Sequence, residues 1–117
     1  MTRVVSIRMP EILARAVRLN AMRSEMPISQ LVGWLLGHVL EDSCDLSSVS
    51  DAPEPSDSKL DVRLPNEMIS RLGLLCDPRR IPLSVCIRAI LYAYYTRRLI
   101  FIQAGDRYTL VANHDQN

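Results

Sequence analysis

The sequence predicts a mainly α fold with a two-stranded antiparallel ribbon, followed by a C-terminal β-hairpin. Three observations lead there. The chain repeats itself with a gapless offset of 55 residues, so that Val5-Ser6-Ile7-Arg8-Met9-Pro10 aligns with Leu60-Asp61-Val62-Arg63-Leu64-Pro65. Each copy opens on about six residues of strict alternation, the period of a half-buried strand. Each then continues into two stretches with helical apolar spacing. A unit of one strand and two helices is too small to enclose a core, so two copies must pack together.

In the first copy Val5, Ile7 and Met9 lie on one side of the strand, with Val4, Ser6 and Arg8 on the other. In the second, Leu60, Val62 and Leu64 oppose Lys59, Asp61 and Arg63. Pro10 and Pro65 end the strands and suit the first turn of a helix, where a missing N–H costs little. Helices are expected at about 11–23 and 66–76, the latter stopped by Asp77-Pro78. The second helices start near Pro27 and Pro82 and reach about Asp42 and Arg98. Their faces, Leu31 to Leu40 and Cys86 to Tyr95, are broad enough to be buried between neighbours.

These segments divide the chain into a first copy at 1–42, a flexible acidic linker at 43–58, a second copy at 59–98, and a hairpin and tail at 99–117. The linker (SCDLSSVSDAPEPSDS) is rich in Ser, Pro and Asp and lacks an apolar period. A flexible chain of that length spans about 20–25 Å. Such a span lets the two strands pair within one chain or between two. After the second copy, Leu99 to Gln103 and Arg107 to Val111 flank a Gly-containing turn.

The net charge of +1 is unevenly spread. Residues 43–58 hold four acidic and no basic residues, whereas 59–98 hold eight basic and three acidic ones. That asymmetry permits a nucleic-acid face that the overall balance hides. No apolar run approaches the ~20 residues of a membrane span, and no secretory leader is apparent. Three cysteines without CxxC spacing suggest reduced thiols in a cytoplasmic protein. His38 and His114 lack metal-spaced companions, and neither a phosphate loop nor a catalytic set is present. The expectation is a non-catalytic protein without metal or cofactor.

If the strands pair, their outer face presents Val4, Ser6 and Arg8 beside Lys59, Asp61 and Arg63. A two-stranded ribbon fits the DNA major groove, where Arg and Lys reach guanine acceptors and Asp accepts from cytosine. The second-helix starts, around Ile28-Ser29 and Leu83-Ser84, expose first-turn N–H groups suited to phosphate. Arg3, Arg79 and Arg80 add charge nearby. Phosphate contacts would fix register while the ribbon reads bases.

The segments VSIRMP with SQLV, and LDVRLP with SVCI, resemble the strand and second-helix signatures of the ribbon-helix-helix (MetJ/Arc/CopG) superfamily. The resemblance covers about two-thirds of the chain. Its tandem form is similar to the TraY-type accessory proteins of conjugative relaxosomes. It implies a tandem ribbon-helix-helix pseudo-dimer that binds double-stranded DNA, as a transcriptional regulator or relaxosome accessory factor, with self-association on adjacent sites. The alternative is an interaction scaffold or antitoxin whose tail, residues 99–117, binds a protein.

Overall fold

The structure is a computed structural model and describes residues 1–113, so that His114 lies outside the described residues. Strand β1 (Thr2–Met9) leads into helices α1 (Glu11–Arg23) and α2 (Ile28–Glu41). Strand β2 (Ser58–Pro65) leads into helix α3 (Asn66–Cys76), a 3-10 turn (Asp77–Arg79) and helix α4 (Leu83–Tyr95). Strands β3 (Leu99–Ala104) and β4 (Arg107–Ala112) follow.

Proline starts every helix. Pro10, Pro27, Pro65 and Pro82 each stand one residue before the first helical position, with φ from −58° to −62° and ψ from 140° to 151°. The ring sets φ close to the helical value while the carbonyl already accepts helical bonds. Leu13 and Ala14 donate to the Pro10 carbonyl at 3.0 and 3.1 Å, and Cys86 donates to that of Pro82 at 3.0 Å. The duplication extends to the turns between helices. Glu25 and Arg80, repeat equivalents, both adopt left-handed backbone at φ 54° and 55°. Left-handed Arg97 ends α4 earlier than the spacing implies, with Arg98 N–H donating to the Ala93 carbonyl at 2.8 Å.

β1 and β2 pair antiparallel within the one chain, from Thr2 opposite Pro65 to Met9 opposite Ser58. An isolated two-stranded sheet is marginal in water, so one face must be covered. Ile7, Met9, Leu60, Val62 and Leu64 supply that face and are all buried. Val17, Leu35, Leu36, Leu72, Ile87 and Ile90 come from all four helices to meet it, in a single core. Each such side chain contributes about 1.5–3 kcal/mol by burial.

The expected mainly α class is corrected here. Strand makes up 25% and helix 48% of the described residues, in four α-helices, the 3-10 turn and two separate two-stranded antiparallel sheets. The fold is therefore of mixed α and β class, and a mainly α tandem ribbon-helix-helix architecture does not describe it. The reason lies in the second sheet. β3 and β4 join through Gly105-Asp106, where Gly105 at φ 68° supplies the positive angle a type II′ turn needs first. Leu99 and Leu110 are fully buried in the same core as the first sheet. The hairpin is thus part of the fold rather than an appendage.

One carboxylate ties that hairpin to α2. Asp42 Oδ2 accepts the Leu110 N–H at 2.8 Å and stands 2.8 Å from His38 Nδ1. The Leu110 bond first, then His38, holds the Asp42 carboxyl below its ordinary value of 3.8. A carboxylate depressed in the folded state stabilises above its unfolded value, and the contribution is lost as pH falls through the folded one. Stability is therefore expected to drop below about pH 4, and Asp42→Asn to flatten part of that drop. Urea midpoints at about pH 7 and about pH 3 check this; equal losses in both proteins would refute the role of Asp42.

The segment 43–58, read from composition as a flexible linker, is pinned at several points. Leu46 and Ala52 are buried in the core, and Cys44 and Val49 pack against it. Asp51 takes both ends of the Arg88 guanidinium, at 2.7 and 2.6 Å, and that guanidinium also donates to the Arg8 carbonyl at 3.0 Å. Asp57 accepts the Glu11 N–H at 2.9 Å, and Ser58 donates to the Glu11 carboxylate. Leu46, Val49 and Ala52 recur every third residue, a period short enough to be lost among the polar residues between them.

Candidate nucleic-acid interface

The outer face of the β1–β2 ribbon carries Val4, Ser6, Arg8, Lys59, Asp61 and Arg63, all exposed. Alternation puts them there, because the intervening residues fill the core. The cross-strand pairs are Val4 with Arg63, Ser6 with Asp61, and Arg8 with Lys59. Ser6 and Asp61 are also repeat equivalents, so the pseudo-twofold axis of the duplication runs between them. The Ser6 hydroxyl donates to Asp61 Oδ1 at 2.6 Å across that axis, and Lys59 Nζ lies 4.0 Å from the same oxygen.

The two ends of the face differ. One end presents two cations, Arg8 and Lys59; the other presents Arg63 beside the apolar Val4. Four positions of strand separate the ends, or about 13 Å. The Arg63 Nη1 donates to the Thr2 hydroxyl at 3.3 Å, which places Thr2 on this face as well. Thr2 fell before the alternation recognised in the sequence. Arg3 shares the parity of the buried residues but is exposed near the start of β1.

The second helices flank the two edges of the ribbon. The first turn of α2 lies beside β2, where Ser29 Oγ accepts the Arg63 N–H at 2.9 Å. The Ser29 hydroxyl, expected to serve phosphate, thus binds the edge of the strand, and Ile28 beside it is half-buried against the core. α4 lies beside β1, with Arg88 one turn beyond Leu83 and Ser84 donating to the Arg8 carbonyl. Leu83 is half-buried against the core as well. Arg79 and Arg80 are exposed in the turn before α4. Arg18 of α1, not singled out by the sequence, donates to the Lys59 carbonyl at 3.3 Å.

Arg88 and Asp51 form the least exposed ion pair on this side, their side chains 13% and 40% exposed. Their mutual bond lowers the Asp51 carboxyl and raises the Arg88 guanidinium. A pair 37 residues apart leaves no trace in local spacing.

Elsewhere two thiols are pushed above their ordinary value. Burial, then the adjoining Cys86, pushes Cys76 up to about 12, and burial, then Asp45 and Asp42, pushes Cys44 up to about 11. No group of three or more His, Cys, Asp or Glu side chains suited to a metal exists among the described residues. His38 has Asp42 one turn on, at 2.8 Å. Its ring also packs edge-on to Trp34 and Phe101 at 5.2 and 5.0 Å. No helix among the described residues is long and apolar enough to cross a membrane.

Neither the family models, the curated proteins nor the solved structures compared with this chain gave a match.

Proposed function

We propose that this protein binds double-stranded DNA by laying the outer face of its β1–β2 ribbon into the major groove. The observation that carries the reading is the ribbon itself. One face is sealed against four helices, while the other offers Arg8, Lys59, Arg63, Ser6 and Asp61 to solvent on a strand pair of groove-fitting width. Arg and Lys engage guanine, Asp61 accepts from cytosine, and Val4 packs on a thymine methyl. The likeness of VSIRMP and LDVRLP to the base-reading strands of ribbon-helix-helix proteins supports the same reading.

The flanking helix starts, with Arg3, Arg18, Arg79 and Arg80, supply backbone contacts that fix register. Because the two ends of the face differ, the preferred site is asymmetric. Its two specified positions lie about four base steps apart, the ~13 Å of strand divided by ~3.4 Å per step. The biological role is transcriptional regulation or accessory work at a transfer origin, both of which use this physics.

Selection of bound duplexes from a random pool, then titration at several salt concentrations, tests the proposal. The expected result is an asymmetric consensus with two guanine-bearing clusters, and a log–log salt slope of about −4 or steeper, matching four or more phosphate contacts. Failure to enrich any sequence, or a slope near zero, would overturn it.

A further inference from the structure

Helix α1 carries two apolar stripes. Leu13, Ala14, Val17 and Ala21 face the core and are buried. Ile12, Ala16 and Leu19, at i, i+4 and i+7, face away from it and lead to Arg23 at i+11. Ile12 is 80% and Leu19 37% exposed. This second stripe forms one wall of a furrow, across which the Tyr95 hydroxyl of α4 donates to Asn20 Oδ1 of α1 at 2.8 Å. A cavity of about 330 Å³ lies between Ile12, Ala16, Tyr92 and Tyr95. A second, of about 510 Å³, shares Ala16 and Tyr95 and continues past Leu19 and Phe101 to Arg23 and Arg97. The far wall is the end of α4 and the start of β3.

We propose that this furrow docks an acidic amphipathic helix from another protein. Its length suits such a guest. Ile12 to Arg23 is twelve residues, eleven helical steps of about 1.5 Å, which gives about 16 Å or three turns. Apolar side chains at i, i+3 or i+4 and i+7 of a guest helix would enter an apolar trough of this kind. Charge selects the guest's character. Arg23 and Arg97 stand at one mouth, while Arg15 is paired with Glu11 at 3.7 Å and Arg18 turns to the Lys59 carbonyl.

A second copy of this chain fits poorly. Its own exposed apolar residues sit in mixed charge: Glu11 pairs with Arg15 beside Ile12 at 3.7 Å, Glu41 holds Arg71 at 2.7 Å, and Asp77 follows Leu74 and Leu75. Such a balanced surface offers no net complement to Arg23 and Arg97, which costs affinity. The chain's acidic segment is already held by Arg88 and the core. A foreign acidic helix meets neither obstacle.

The test uses the full chain and two synthetic helical peptides, alike in a leucine stripe at i, i+4 and i+7 but flanked by Glu in one and Lys in the other. The Glu peptide is expected to bind at least about tenfold tighter than its Lys twin, as paired rim charges and a buried apolar anchor require. Leu19→Glu is expected to abolish that preference, and Arg23→Glu to reverse it in favour of the Lys peptide. Both positions are on the surface, so folding is retained, and unfolding curves verify this. Equal affinity for the twins, binding of neither, or insensitivity to Leu19→Glu would overturn the proposal. So would dimerisation of the chain that Leu19→Glu disrupts, or a preference for anionic lipid vesicles over the Glu peptide.

Discussion

Replacing Arg8 and Arg63 together by alanine is expected to weaken binding to the selected duplex by about 2–6 kcal/mol, between about thirtyfold and twenty-thousandfold. Each guanidinium stands at one end of the exposed ribbon face, four strand positions from the other, so on the proposed reading the two would meet different base pairs. Contacts at separate positions lose energy almost additively, at about 1–3 kcal/mol each. The single variants should relax the consensus at opposite ends of the site rather than weaken it evenly. Stability should hardly change, because both side chains are exposed and substitutions of that kind stay within about 0.5 kcal/mol. Competition binding against duplexes mutated at each cluster checks this. Wild-type affinity in the double variant would rule out the ribbon as the reading surface.

Truncating Leu64 to alanine is expected to have the opposite profile. Leu64 is fully buried beneath the ribbon. A cavity left by Leu→Ala in such a position costs about 2–5 kcal/mol, a large share of the ~5–15 kcal/mol that holds a domain of this size together. Urea unfolding should show a much lower midpoint. The affinity of the protein that remains folded should be unchanged, since Leu64 does not reach the outer face. Val4→Ala, on the facing strand but exposed, is the control and should leave the midpoint nearly untouched. The arginine pair and the leucine thus separate function from stability across the thickness of a single sheet. A midpoint for Leu64→Ala within about 0.5 kcal/mol of wild type would mean that the sheet is not sealed as described.

Much of the architecture was legible in the sequence because it is written in periods. Alternation located β1 and β2, proline located every helix start, and the 55-residue offset showed that the two strands are equivalents. What stayed hidden depends on which parts meet. The hairpin could be drawn from Leu99 to Val111, but only its burial of Leu99 and Leu110 in the common core shows that it sets the fold class. A run of Ser, Pro and Asp reads as unstructured until Asp51 is seen in the grip of Arg88. On α1 the apolar residues keep helical spacing, yet Ile12 and Leu19 turn outward while Leu13 and Val17 turn inward. Periodicity marks both pairs as helical and cannot say which has a neighbour. At the candidate interface, the outward residues follow from alternation alone. The use of Ser29 to hold the strand edge needed the third dimension.

The pairing of β1 with β2 inside a single polypeptide has a consequence for copy number. Where a ribbon is assembled from separate subunits, its population falls with dilution, and scarce protein spends time as inactive halves. Here the halves are covalently joined, so a handful of molecules per cell are each complete. A single chain also lets the two halves differ: Arg63 faces a valine at one end of the ribbon, and Arg8 faces a lysine at the other.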